Sequence, residues 1–270
     1  MNIETMTRLA GISRASFYRF DQEAVPAIRD VELRDAIQRL ALKCPSDGRP
    51  RITKALQRKG WNVNHKRVGR ILREDNLLCL RKKKFHVTTT DSRHSCRIFP
   101  HLAKRCVPTG PNQLWVSDIT YLLLAEEFIY LAVILDVYSR KVIGWALERI
   151  LEAKLTLGAL RMALAKRGAP AGLIHHSDRG VQYACDEYIT LLQMHGIRIS
   201  KSCKVNPYNN AFAESIMKTL KTEEVYRSEY RDLAEAGRRI GRFLELVYNR
   251  QRLHSALGYR PPAEFEALAA

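Results

Sequence analysis

The sequence predicts an α/β fold: a mixed sheet flanked by helices, preceded by a small all-helical domain. Three observations carry this. Between residues 113 and 150, three β-rich runs follow one another across short turns. From residue 153 onward, helical and short apolar strand segments alternate, as in a sheet whose later strands are joined through helices. Ahead of both, residues 30–77 carry helical periodicity.

Taken in order, Leu9-Ala10-Gly11-Ile12-Ser13 followed by a basic-aromatic stretch to Tyr18 has the outline of a helix-turn-helix: a glycine turn, a Ser N-cap and a second helix. It is too short to fold alone, and reads either as an independent DNA reader or as a remnant packed on its neighbour. Three helices follow. Val31, Leu33, Ile37, Leu40 and Ala41 give the first an apolar face, and Ser46-Asp47-Gly48 ends it. Ile52 to Lys59 makes the second, stopped by Gly60. Asn64 caps a third that turns Val68, Ile71 and Leu72 inward and His65, Lys66, Arg67 and Arg70 outward. The outward row is either a solvated face or a set of DNA phosphate contacts, and the neighbouring Arg81-Lys82-Lys83-Lys84 run favours DNA. Residues 81–112 then read as an extended basic linker, closed by Pro108, Gly110 and Pro111.

In the sheet domain the strands are expected at Leu114–Leu124, Phe128–Leu135 and Lys141–Leu147. A helix (Ala153–Arg167), a strand (Leu173–His176), a helix (Cys185–His195) and a short strand (Ile197–Ser200) follow. Another helix begins near Asn210, and Asp232–Arg250 makes the last. The expected division is residues 1–80 helical, 81–112 linker and 113–270 sheet domain with a C-terminal helix and tail.

Charge follows the same division. The chain carries a net +17. Residues 1–110 hold 24 Lys and Arg against 10 Asp and Glu, a net +14, and residues 111–270 hold 21 against 18, a net +3. A basic N-terminal third on a near-neutral body suits DNA binding, because Lys and Arg gain affinity by releasing counterions from phosphates. No run of 18 apolar residues argues for a membrane span, and no basic-then-apolar leader opens the chain, so a cytoplasmic protein is expected. The six cysteines (44, 79, 96, 106, 185 and 203) form no Cys-x-x-Cys pair, so neither a zinc site nor a disulfide framework is expected. His175 and His176 are adjacent on a strand and point to opposite faces, which excludes joint ligation of one metal.

Three carboxylates concentrate the chemistry. Asp118 lies inside an apolar strand, where an ionised group is costly unless paired. It shares a face with Leu114, Val116 and Thr120, while Trp115 and Tyr121 point to the other face and read as core. Asp178 follows a second apolar run in His175-His176-Ser177-Asp178-Arg179-Gly180, at the carboxyl end of a strand, where open α/β sheets place their ligands. Arg179-Gly180-Val181-Gln182-Tyr183 reads as a strand-to-helix loop, with Arg179, Gln182 and Tyr183 as candidates to touch DNA. Glu214 opens a helix and shares a face with Lys218 and Lys221. The bland readings are a buried Asp on backbone donors, a turn-capping Asp and a surface Glu–Lys pair. The sharper reading is two divalent metals held on oxygen ligands beside a phosphodiester. Asp136, at the end of the second strand, reads as a turn residue.

At these motifs the chain resembles the integrase-type (DDE) transposases of bacterial insertion sequences, specifically the OrfB protein of the insertion-sequence-three family. The likeness extends from Asn64-His65-Lys66-Arg67-Val68, through Trp115-Val116-Ser117-Asp118 and His176-Ser177-Asp178-Arg179-Gly180 to Ala213-Glu214-Ser215. It continues in Tyr248-Asn249-Arg250 and His254-Ser255-Ala256-Leu257-Gly258-Tyr259. It implies a ribonuclease-H-like integrase catalytic core behind a helix-turn-helix-like region. It also implies catalytic, metal-binding roles for Asp118, Asp178 and Glu214 and a basic signature position at Lys221. The implied cofactor is Mg2+, with Mn2+ as a substitute. The implied partners are DNA, as element ends and target, a second copy in a homo-oligomer assembled on DNA, and an upstream-frame product joined as a frameshift fusion. Lys218, Lys221, Arg179, Lys66, Arg67 and Arg70 are the candidate DNA contacts. Val205 and Asn209 depart from the family's usual Gly and Asp, and Asp47-Gly48-Arg49-Pro50-Arg51 departs from its usual Tyr-Gly-Tyr-Arg-like turn. The alternatives are a nuclease of the same fold without strand transfer and a catalytically silent DNA-binding protein.

Overall fold

The structure is a computed structural model that describes residues 3–9, 11, 13, 28–79, 99–124, 127–178, 180–202 and 211–269. Most of the helix-turn-helix outline before residue 20, the Arg81–Lys84 run, Arg179 and the loop holding Val205 and Asn209 lie outside the described residues. The chain forms two compact units, Met1–Cys79 and Leu80–Ala270.

In the first unit a short helix α1 (Ile3–Leu9) precedes α2 (Ile28–Lys43), α3 (Arg49–Arg58) and α4 (His65–Glu74). Its core is Leu33, Ile37 and Leu40 against Ile52, Leu56, Val63, Val68, Ile71 and Leu72. Val31, expected inside, is 53% exposed: Leu33, Ile37 and Leu40 already fill the inward stripe, and residue 31 falls outside it. Helix α3 begins three residues before the expected Ile52, because Pro50 sits in its first turn, where proline's missing N–H costs nothing. Asn64 caps α4 as expected, its side chain accepting from the Arg67 N–H at 2.9 Å. Arg34 on α2 ties down the end of α4 by pairing with Glu74 and Asp75.

The second unit is built on a five-stranded sheet: β1 (Leu114–Leu124), β2 (Glu127–Asp136), β3 (Val142–Glu148), β4 (Ile174–Ser177) and β5 (Arg198–Lys201). The order is β3-β2-β1-β4-β5, with β1 to β3 antiparallel and β4 and β5 parallel to β1. Helices α5 (Ala153–Arg167), α6 (Val181–Ala184) and α7 (Asp186–Met194) cover one face, packing Leu155, Leu160, Tyr183, Tyr188 and Leu192 against Trp115, Ala132 and Ile134. On the other face lie α8 (Ala211–Glu223) and α9 (Leu233–Arg242), where Ile216, Met217, Leu220 and Ile240 meet Leu122, Leu131, Val133 and Leu135. The alternation read along β1 is therefore the alternation between two helical layers.

Three expectations are corrected. Residues 99–112 are not an extended linker: a 3-10 turn at Leu102–Arg105 packs Leu102 and Ala103 against Leu114, Val116 and Ile174. The Pro100 carbonyl accepts from the Lys201 N–H at 3.3 Å, and the Ala103 N–H donates to Ser200 Oγ at 3.1 Å, so this segment closes the β5 edge. Val181–Ala184, read as loop, is a helical turn, because Tyr183 and Ala184 find apolar cover against the sheet. The expected final helix is two segments, α9 and a π-helix at Phe243–Gln251, whose wider turn puts Phe243, Leu244, Tyr248 and Asn249 on the buried side. A last helix, α10, spans Pro262–Ala267.

The C-terminal motif acts as a brace. Asn249 pairs with both backbone groups of Val142, accepting at 2.9 Å and donating at 2.8 Å, where β3 departs from regular register. Arg252 clamps Glu223 at the end of α8 with bonds of 2.8 and 2.9 Å. Among the glycines of the described residues, the tightest helix–sheet approach is at Gly144, where a Cβ would collide with the Ala159 carbonyl oxygen and meet the Ala163 Cβ at 3.0 Å. Gly144→Ala is expected to destabilise the protein by about 1–3 kcal/mol, the usual cost of overpacking a filled core. A lower urea midpoint at unchanged slope is the predicted readout; an unchanged midpoint would show that α5 can retreat freely.

Candidate active site

The acids are placed by sheet register. β1 and β4 pair in parallel as Leu114↔Ile174, Trp115↔His175 and Val116↔His176. Two rungs further, the same offset sets Asp178, one residue past the end of β4, beside Asp118 in β1, and neighbouring strands lie about 4.8 Å apart. Even-numbered positions of both strands face α8, since Ala213 clusters with Leu114, Val116 and Ile174. Glu214 is the next residue along α8 and stands exposed in its first turn. The helix is seated by its buried Ala213, Ile216, Met217 and Leu220.

Asp178 is held by its own loop: the Gly180 N–H donates to its Oδ1 at 2.9 Å, an Asx-type turn. A Cβ on Gly180 would lie 3.1 Å from that oxygen, so glycine lets the loop fold closely over the carboxylate.

The electrostatics join the set. The Asp118 carboxyl is pushed up to about 8, first by burial and next by repulsion from Asp178; a hydrogen bond from the Ile119 backbone opposes this, Glu214 adds to it, and Lys221 offsets it. All three carboxylates and Lys221 thus share one field, in which full ionisation is costly without added positive charge. Burial holds the Lys221 ammonium below its ordinary range while Asp118 pulls it back up. That ammonium lies 4.5 Å over the Tyr121 ring, so Tyr121, expected as core, flanks this site instead. Lys218 is exposed on the same helix face.

The oxygen-only character is consistent. His175 Nε2 is 3.0 Å from Tyr188 OH, and His176 bonds Ser200 Oγ at 2.9 Å and Ser202 Oγ at 3.2 Å, so both imidazoles are engaged within the fold, on opposite faces as expected. Among the described residues, Asp118, Asp178 and Glu214 included, no three His, Cys, Asp or Glu side chains form a ready-made metal cage: the strand register sets the two aspartates side by side, and Glu214 stands exposed on its helix. A donor set of a few carboxylates fits a hard cation that completes its shell with water and phosphate oxygens. Asp136 is the turn residue expected, its carboxylate accepting from the Asn112 N–H at 2.6 Å, the Ser139 N–H at 2.9 Å and the Ser139 hydroxyl at 3.0 Å.

Other candidates fall elsewhere. Tyr183, considered for DNA, is buried, with its hydroxyl 2.7 Å from Ser117 Oγ; Gln182 donates to the Leu151 carbonyl at 3.3 Å. Arg67 and Arg70, read as an outward DNA-facing row, converge on Asp30 at 2.6 and 3.2 Å, with Arg70 also 3.7 Å from Glu74. Arg67 holds the Asp30 carboxyl below its ordinary range, chiefly by hydrogen bonding. Of that row, His65, Lys66 and Arg70 are exposed and Arg67 is half-buried. Sequence reasoning missed Lys201, a buried lysine in the layer behind the acids. Its one signal was a lysine directly after the short strand Ile197–Ser200, where the alternation sets it on the face opposite Ser200.

Residues 108–207 and 195–262 match family models described as integrase core domain, and residues 29–85 match an HTH-like domain. The fold and these matches thus define an integrase-type, ribonuclease-H-like enzyme core. The chain is 38% identical over 265 residues to the uncharacterized 31 kDa protein of insertion element IS600 from Shigella sonnei, covering 96% of this chain and 97% of that one. To the transposase InsF for insertion sequence IS3A of Escherichia coli it is 33% identical over 273 residues, covering 98% and 94%. To the transposase for IS904 of Lactococcus lactis it is 36% identical over 220 residues, covering 81% and 87%. The chain belongs to the IS3 family of insertion-sequence transposases. Among solved structures it is similar to the HTLV-2 integrase catalytic core domain in complex with magnesium, at a TM-score of 0.46 and 16% identity, covering 58% of this chain and 98% of that one. It is also similar to the simian T-cell lymphotropic virus intasome in complex with the PP2A regulatory subunit B56 gamma, at a TM-score of 0.48 and 16% identity, covering 86% and 74%.

Proposed function

We propose that Asp118, Asp178 and Glu214 form the phosphoryl-transfer site of this transposase, freeing 3′-OH groups at element ends and joining them to DNA. The observation that carries the reading is the adjacent-strand placement of Asp118 and Asp178, with Glu214 and Lys221 in the same field. The three carboxylates would hold Mg2+, or Mn2+ in its place, which supplies charge neutralisation at the attacking and leaving oxygens. The chain's own residues do the rest. The β1–β4 register fixes the spacing of the aspartates, and the Gly180 N–H orients Asp178. Lys221, and Lys218 on the same face, meet phosphates flanking the scissile bond. Both steps use one site, and catalysis rests on positioning and electrostatics.

DNA enters as both element end and target, and the working assembly is a homo-oligomer on DNA, with the upstream-frame product joined as a fusion. We assign residues 1–80 to DNA binding, with Lys66 as a contact, and 113–270 to catalysis. The test is joining of a labelled element end by the purified protein, fused to the upstream region where the isolated chain is silent. Joined product that appears with Mg2+ or Mn2+ and disappears with chelator is expected. Cleavage without any joined product would establish the nuclease alternative.

A further inference from the structure

Behind the two aspartates, on the opposite side of the sheet, lies a buried polar layer outside the assigned site. Ser117 and Ser177 immediately precede Asp118 and Asp178, and the β1–β4 register makes them neighbours on the face turned toward α5 to α7. Lys201 of β5 pairs with Ser177 and is 4% exposed. Its ammonium donates to Ser177 Oγ at 3.1 Å and to the Tyr183 carbonyl at 2.8 Å, and lies 5.5 Å from the centre of the Tyr183 ring. Tyr183 closes the layer through its hydroxyl, 2.7 Å from Ser117 Oγ.

Two features make this more than packing. A buried ammonium is costly, and an apolar residue of similar length would fill the place more cheaply. And two hydrogen bonds of that ammonium reach the elements on either side of the Asp178 turn: Ser177 ends β4, Tyr183 lies in α6, and Asp178 with its Gly180 cap lies between. We propose that Lys201 is a positioning residue that ties the end of β4 to α6 through Ser177 and Tyr183 and so fixes the Asp178 carboxylate between them for metal binding. It also sets a positive charge one strand away from the acid pair. The neighbouring His175 is held neutral, its imidazole pushed down to about 3 by burial first and by Lys201 next.

This inference rests on the metal-binding reading above, and the test separates the two. Lys201→Met keeps length and apolar bulk while removing the donors and the charge. Mn2+ affinity is measured by calorimetry for wild type, Asp178→Asn and Lys201→Met, with circular dichroism to establish folding. Outer-shell partners of metal ligands typically contribute about 10–100-fold in affinity, and a weakening of about tenfold or more is expected for Lys201→Met. In the metal-free protein the Gly180 amide should exchange with solvent faster in the variant, because the Asp178 acceptor is no longer held. In the joining assay the loss should fall on kcat, with KM for DNA little changed. If Lys201→Met does not fold, Ser177→Ala removes one clamp bond at lower cost and should still weaken Mn2+ binding several-fold. A folded variant with wild-type Mn2+ affinity and Gly180 exchange overturns the clamp. Equal Mn2+ affinity in wild type and Asp178→Asn overturns the metal reading, and the clamp with it.

Discussion

Asp178→Asn is expected to suppress strand joining, lowering its rate by about 10²–10³-fold, the scale on which a preorganised electrostatic group is lost, while DNA binding persists. Asparagine keeps the shape and still offers Oδ1 to the Gly180 N–H, so the loop retains its Asx turn. What disappears is the negative charge, and a neutral amide oxygen coordinates a divalent cation far more weakly than a carboxylate. DNA affinity should hold or rise, because one repulsion toward the phosphates is gone. A second readout needs neither metal nor DNA. Asp178 is the largest electrostatic contributor to the raised Asp118 carboxyl, so Asp178→Asn should bring Asp118 down from about 8, as followed by carboxyl NMR. Burial remains, so Asp118 should stay above the ordinary carboxylate range. Glu214→Gln should match the loss in joining, and the double variant should be no worse than either single one, because both disable one centre. Joining at the wild-type rate by Asp178→Asn would refute the assignment.

The parts legible in the sequence are those where local pattern and tertiary role coincide. β1 alternates between two helical layers, so its faces could be assigned residue by residue, and its limits fall where expected, Leu114 to Leu124. α5 likewise spans its expected Ala153–Arg167. Asp136 could be set aside because a carboxylate ahead of Ser139 has nearby backbone donors to accept from. The pairing of Asp118 with Asp178 needed more than pattern, since it depends on β4 docking parallel to β1 at one particular offset. The motifs supplied that information because they carry the family's spacing.

What stayed hidden depends on partners distant in sequence. Arg67 and Arg70 have the spacing of an outward basic row, and nothing near them announces that Asp30, more than 35 residues earlier, will accept from both. Tyr183 looked available for DNA until the turn that contains it packed on the sheet. Asn249 belongs to a signature motif, yet its role is to replace a missing strand partner at Val142, which only the fold of the C-terminal segment over β3 reveals. In each case a polar group is satisfied by long-range pairing, which no local periodicity encodes.

Removing residues 1–98 is expected to weaken DNA binding strongly and flatten its salt dependence while leaving the sheet unit folded. The removed segment holds 22 Lys and Arg against 10 Asp and Glu, a net +12. Several of those acids, Asp30, Asp47 and Asp75 among them, are spent on ion pairs within the first unit, yet the basic residues still outnumber the acids two to one. Every phosphate that is no longer neutralised makes the slope of log K against log[salt] shallower by about 0.9, so a region engaging six phosphates removes about 5 units of slope. The cut belongs before Phe99. A cut at residue 105 would also strip the Pro100 carbonyl and the Ala103 N–H from the edge of β5, exposing the strand that carries Lys201. The shorter deletion should therefore keep a cooperative thermal transition, and the longer one should lower it. Affinity and salt slope are to be measured from about 50 to 200 mM salt, a range in which six to ten neutralised phosphates change affinity by about 10³–10⁵. If both quantities are unchanged after the shorter deletion, DNA is held by the sheet unit, with Lys218 and Lys221 as the residues to remove next.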